Sequence, residues 1–153
     1  MVIAILAILA AVALPSMREA QANARIKSVA GDIAAAMAEA RAQAAGRQRS
    51  VSLKAHADGW NKGWEMEFAV LSASDAIALA GHHGLPESAE VTADPALKEL
   101  VFQSNGMVQD KDGALVNAIT FLVCDSNVTG ERGLEVTLSA LGRTATKKSA
   151  KCG

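Results

Sequence analysis

MVIAILAILAAVALPSMREA, residues 1–20, decides how the rest of the chain is read. The first fourteen residues carry no polar side chain, and Pro15 and Ser16 close the run. As a helix it reaches only about 21 Å, against a bilayer hydrocarbon core of about 30 Å. Three readings compete: the apolar region of a signal peptide, a buried core helix, and the lower part of a membrane helix whose first turns are missing. A signal peptide places a basic region before the run and small residues at a cleavage site after it. Nothing basic precedes this run, although Ala11-Val12-Ala13 has the small-residue pattern. A core helix more often shows a polar face. The run fits best as the membrane-helix segment, made by Met1, Val2, Ile3, Ile5, Leu6, Ile8, Leu9, Val12 and Leu14.

Beyond the run the helix is expected to continue, now amphipathic, over residues 16–46. Ile26, Ala30, Ile33, Met37, Ala40 and Ala44 recur at three- and four-residue spacing and share one stripe. Arg18, Arg25, Lys27, Glu39 and Arg41 mostly fall elsewhere. Alanine, the best helix former, is dense here. Gly46 is the expected C-terminal cap. Pro15 should kink the helix or weaken it locally, and two separate helices are the alternative.

The remainder reads as strands. Val51, Leu53 and Ala55 alternate with Ser50, Ser52 and Lys54; Trp64, Met66, Phe68 and Val70 alternate with Glu65 and Glu67. Leu134, Val136 and Leu138 alternate with Glu135, Thr137 and Ser139. Each is a period-2 pattern with one buried face. The apolar run 119–124 is better as a strand than as a helix at that length. Asp58-Gly59 and Asn61-Lys62-Gly63 supply turn chemistry between the first two strands. Residues 72–98 are irregular, with a short helix expected near 74–80. The fold class is α+β, one long helix followed by an antiparallel sheet.

Composition narrows function. With 153 residues, half of them apolar, the chain can build one globular core. A net charge of −1 favours neither nucleic acid nor an acidic partner. Three Phe, two Trp and no Tyr leave little for a base-stacking surface. Cys124 and Cys152 form no CxxC pair and have no histidine pair at metal spacing. Outside the cytoplasm they read as a disulfide; otherwise they are two unrelated buried thiols. The bridge would close a loop of about 29 residues, worth roughly 3–4 kcal/mol.

The opening stretch resembles the mature N-terminus of type IV pilins and type II secretion pseudopilins. In that family a prepilin peptidase cuts before a segment close to Phe-Thr-Leu-Ile-Glu-Leu, which runs into a stretch like residues 1–14. The chain starts just after that segment, so the cleavage site, first aromatic and acidic fifth residue have no counterpart here. Restoring about six residues would lengthen the helix to roughly 30 Å, enough to span. The later half resembles the GspH/FimT (FimU) type of minor pseudopilin. The matching residues are Arg49-Ser50-Val51, Gly59-Trp60, Gly63-Trp64, Leu122-Val123-Cys124-Asp125, Leu141-Gly142-Arg143 and Cys152.

The resemblance implies a type IV pilin-like fold in three parts. Residues 1–15 anchor, residues 16–46 continue the helix, and residues 47–153 form a β-rich domain. It implies a single-pass protein of the bacterial inner membrane whose globular domain is periplasmic and then joins a pilus or pseudopilus. The implied function is structural: a minor pilin that starts or caps a type IV pilus. The alternative is the H-type minor pseudopilin of a type II secretion system. Partners are other minor and major pilins, the inner membrane and the prepilin peptidase. Some FimT-type relatives bind DNA in natural transformation through a motif like Gly-Arg-x-Arg. Here Gly142-Arg143-Thr144-Ala145 keeps the first half and loses the second arginine.

Chemistry is otherwise sparse. No cofactor, metal or catalytic site is expected, because GxSxG, HExxH, P-loop and Rossmann glycine patterns are all missing. A secreted enzyme with an uncleaved signal would need such a constellation. His82-His83 reads as surface loop, His56 stands alone, and Asp110, Asp112 and Gly113 read as a turn. Trp60 and Trp64 read as core or sheet packing. The tail carries the remaining signal. Arg143, Lys147, Lys148 and Lys151 set four cations in nine residues, with no acidic side chain after Glu135. They form either a phosphate-contacting patch for DNA or a solvated basic edge that blunts sheet pairing.

Overall fold

The structure, a computed structural model, describes residues 2–68, 78–127, 133–149 and 152. Helix α1 spans Val2–Arg47, 46 residues without a break. The two-helix alternative therefore does not hold. Proline removes one backbone bond, and the dense helix formers on either side carry α1 through Pro15. Ile26, Ala30, Ile33, Met37, Ala40 and Ala44 are all buried, and Ala22, Val29 and Ala36 widen the stripe.

Among the described residues nine strands follow: β1 (Val51–His56), β2 (Gly59–Phe68), β3 (Ala78–His83), β4 (Ala89–Asp94), β5 (Glu99–Phe102), β6 (Val108–Gln109), β7 (Ala118–Asp125), β8 (Gly133–Ser139) and β9 (Thr144–Ser149). They form two antiparallel sheets, where one was expected. The first is ordered β3-β2-β1-β5-β6 and the second β4-β7-β8-β9. Helix α1 lies against β1 of the first sheet and β7 and β8 of the second. Leu53, Leu100 and Phe102 thus share a core with Ile119, Phe121, Val136 and Leu138. Trp60 and Trp64 are buried. Trp60 meets Phe121 edge-on, ring centroids 4.9 Å apart, and its indole N–H donates to the Leu97 carbonyl at 2.8 Å.

Several sequence expectations need correction. The stretch 72–98 is not irregular throughout, because it holds β3 and β4. The short helix expected near 74–80 gives way to strand from Ala78 onward, while residues 74–77 and Val70 lie outside the described residues. Strand β3 pairs with β2 despite its small residues, so tertiary pairing outweighs weak local preference. In β4, Ala89, Val91 and Ala93 do alternate with Glu90, Thr92 and Asp94, but alanine hides the period. The turn between β1 and β2 falls at Ala57 and Asp58, with Gly59 at φ 100°. Asn61, Lys62 and Gly63 lie inside β2, where the Asn61 side chain accepts the Val91 N–H at 2.6 Å. That bond joins the two sheets at one position on the outer edge of β4.

The helix also ends differently. Gly46 is the penultimate helical residue, and Gln48 takes the left-handed conformation with φ 52°. The Arg49 N–H reaches back to the Ala44 carbonyl at 3.2 Å, the long bond of a Schellman ending. A side chain in that conformation costs about 1–2 kcal/mol, partly offset by the entropy that glycine would lose on folding. Gln48→Gly is therefore expected to stabilise the chain by about 0.5–1 kcal/mol, raising Tm by about 1–4 °C in thermal unfolding. An unchanged or lower Tm would contradict the strained ending.

Candidate functional site

The cationic tail folds as β9, the edge strand of the second sheet. The ladder sets Lys147 opposite Glu135 and Lys148 opposite Leu134. Successive strand residues face opposite sides, so the two lysines do not share a surface. Lys147 Nζ lies 2.8 Å from Glu135 Oε2, and the Ser149 hydroxyl donates to Glu135 Oε1 at 2.8 Å. Glu135, expected on a solvated face, is only 5% exposed and so sits under these two partners. Lys148 instead lies on the helix side, beside Lys27 and Asn23 of α1. Arg143 is exposed in the β8–β9 turn, and Lys151 lies outside the described residues. The three described cations of the tail are thus distributed over two faces and a turn. Sequence reasoning missed Glu135 as a partner; its offset from Lys147 is what a short hairpin would pair.

Gly142 has a structural reason. It adopts φ 67° in the β8–β9 turn, where its N–H donates to the Ser139 carbonyl at 2.9 Å. A Cβ there would lie 3.0 Å from Arg41 Cδ and 3.1 Å from the Gly106 carbonyl. The Arg41 stem thus crosses both the β8–β9 turn and the turn after β5. Leu141 is left exposed at that turn.

A disulfide joins Cys124 on β7 to Cys152 past β9, with the Cα atoms 5.7 Å apart. It lies across Gly133, the first residue of β8. A Cβ at Gly133 would overlap Cys152 Sγ and come within 3.0 Å of the Val123 carbonyl. Asp110 Oδ1 accepts the Asp112 and Ala114 N–H groups at 2.9 Å each, a side-chain-stapled turn. His56 is exposed near Asp58, and His82 and His83 fall in β3 opposite Trp64 and Gly63. Among the described residues no cluster of three or more His, Cys, Asp or Glu is placed to hold a metal ion. No helix among them is long and apolar enough to cross a membrane.

An ion pair ties the helix to the second sheet. Arg25 Nε donates to Asp125 Oδ2 at 2.8 Å, and a second guanidinium nitrogen lies 3.4 Å from Oδ1. The Ser88 hydroxyl donates to the same carboxylate at 3.0 Å and the Asn127 N–H at 2.9 Å. Burial alone would push the Asp125 carboxyl up. The Arg25, Asn127 and Ser88 hydrogen bonds more than offset this and hold it below the usual carboxylate range. The sequence marked Arg25 only as lying off the apolar stripe. Their separation along the chain, a hundred residues, hid the pair.

A long helix laid on two antiparallel sheets, with a disulfide joining the chain after β9 to β7, defines an α+β class of fold. The model of the family described as Type II transport protein GspH matches residues 29–142, and the chain belongs to that family of minor pilins and pseudopilins. Among solved structures, the type IV minor pilin FimU of Pseudomonas aeruginosa is 26% identical. That match covers 84% of this chain and 92% of FimU, with a TM-score of 0.66. The minor pseudopilin EpsH from the type 2 secretion system of Vibrio cholerae matches at 13% identity and TM-score 0.60, over 81% of this chain and 97% of its own. Escherichia coli GspH matches at 13% identity and TM-score 0.59, over 85% and 92%. At that identity the last two share the fold alone. No curated protein sequence matches the chain.

The depressed Asp125 carboxyl makes stability depend on pH. Its contribution is present above the unfolded carboxylate value of about 3.9 and is lost as pH falls through the lower folded value. Asp125→Asn should therefore cost about 2 kcal/mol at neutral pH, the order of a buried charge-assisted hydrogen bond. In urea titrations the gap between parent and variant should close as pH drops below about 4. A gap that stays constant to low pH would show that the carboxylate charge plays no part.

Proposed function

We propose that this chain is a minor pilin that joins other pilins at the start or tip of a type IV pilus. The observation that carries this reading is the 26% identity with a type IV minor pilin, against 13% with the secretion-system pseudopilin. Its work is packing, not bond chemistry. The apolar segment of residues 1–14 anchors α1 in the inner membrane and in the filament core. The domain that follows sits on the periplasmic side, where the Cys124–Cys152 disulfide persists. Processing by a prepilin peptidase belongs to the same reading.

A second reading is the H-type pseudopilin of a type II secretion system, supported by the family description itself. Deleting the gene in the native host separates the two. Surface pili and twitching should be lost, secretion of type II substrates should continue, and the intact chain should restore the pili. Lost secretion with pili intact would replace the pilus reading with the secretion one.

A further inference from the structure

The turn between β5 and β6 holds an asparagine–glycine step beside an arginine. Ser104, Asn105 and Gly106 form its three-residue loop. The Gly106 N–H donates to the Gln103 carbonyl and the Gln103 N–H to the Met107 carbonyl, each at 2.9 Å. Gly106 takes φ 83°, the left-handed position that closes such a loop. Asn105 is exposed, and its side-chain oxygen accepts the Met107 N–H at 3.0 Å. Of the five asparagines in the chain, this one alone precedes a glycine; Ala24, Lys62, Ala118 and Val128 follow the others. A following side chain hinders approach of its own backbone nitrogen to the asparagine amide carbon, and glycine has none. Arg41 lies over the same turn. A Cβ at Gly106 would meet Arg41 Nε and Nη2 at 3.5 Å each. Among the described residues that guanidinium has no acidic partner.

We propose that Asn105 is a site of spontaneous deamidation, through a succinimide closed with Gly106, and that the carboxylate it gains is drawn to Arg41. The Gly106 backbone nitrogen loses its proton and bonds to Asn105 Cγ. The Cγ–Nδ2 bond breaks, and the side-chain nitrogen leaves with that proton as ammonia. Water then adds to one of the two ring carbonyls and opens the ring, giving an aspartyl or an isoaspartyl residue. The proton of the new carboxyl passes to the ammonia, so the residue ends with one negative charge it did not have. The native turn slows the first step, because the Gly106 N–H is engaged with Gln103 and must come free. The same ring closure at Asp58-Gly59 or Asp112-Gly113 would change no charge. At Asn105 the added charge falls one residue from the Arg41 guanidinium, whose stem also crosses the β8–β9 turn. Opposite charges at that separation attract through water, and salt weakens the attraction.

The test is peptide mapping by mass spectrometry on the oxidised full chain, held in mildly alkaline buffer both folded and in urea. Isoaspartate is counted separately by methylation with an isoaspartyl methyltransferase. In the folded chain Asn105 should convert several-fold faster than any other asparagine, to a mixture of aspartyl and isoaspartyl products. Its conversion should be faster still in urea, where the turn is open. Asn105→Asp stands in for the aspartyl product. That change should raise Tm more in the parent than in an Arg41→Gln background, and high salt should erase the difference. Conversion at Asn105 no faster than at the other asparagines of the folded chain would overturn the site. An Asn105→Asp shift that is the same with and without Arg41 would overturn the charge coupling.

Discussion

Both sheets depend on one stripe of α1. Ile33 and Met37 supply the bulk of that stripe, and Ala30, Ala36, Ala40 and Ala44 let the helix backbone approach closely. The inner faces it covers belong to different sheets: Leu53 and Phe102 on one, Phe121 and Val136 on the other. Neither sheet buries those side chains alone. Large-to-small changes at such positions typically cost about 2–5 kcal/mol, because close-packed cores do not collapse around a void. The edge contact of Trp60 with Phe121 continues the same core where β2 meets the second sheet.

Polar and covalent ties then fix the position of the second sheet on the helix. Arg25 and Asp125 lock one level of α1 to the end of β7. Arg41, four turns along, lies against the turns at Gly106 and Gly142. The disulfide holds the chain after β9 to β7, across the start of β8. The β8–β9 hairpin is thus held at its turn by Arg41 and beyond its open end by the disulfide.

Much of this was legible in the residues. The spacing of Ile26 through Ala44 gave the buried stripe, and strict alternation gave β8 and the second half of β2, from Trp64 to Phe68. The cysteine pair and the resemblance led to the disulfide and the family. What escaped had a common cause: its determinants are non-local. Strands β3 and β9, ALAGHH and TATKKS, have little apolar period and are strands because β2 and β8 pair with them. Asn61 looked like turn chemistry until its partner on β4 was visible. The tail cations looked like one patch because sequence order does not show which face a strand residue takes. Gln48 escaped for a local reason: glycine was the more economical choice for a left-handed ending, and the chain does not use the one it has at Gly46.

If α1 is the common cover, it cannot open alone. Native-state hydrogen exchange on the oxidised full chain, resolved to single amides, measures this directly. Met37 in α1, Leu53 in β1 and Phe121 in β7 should share one opening free energy, equal to that of global unfolding. Exchange at Met37 with a lower free energy, while Leu53 and Phe121 stay protected, would mean that the sheets hold together without the helix.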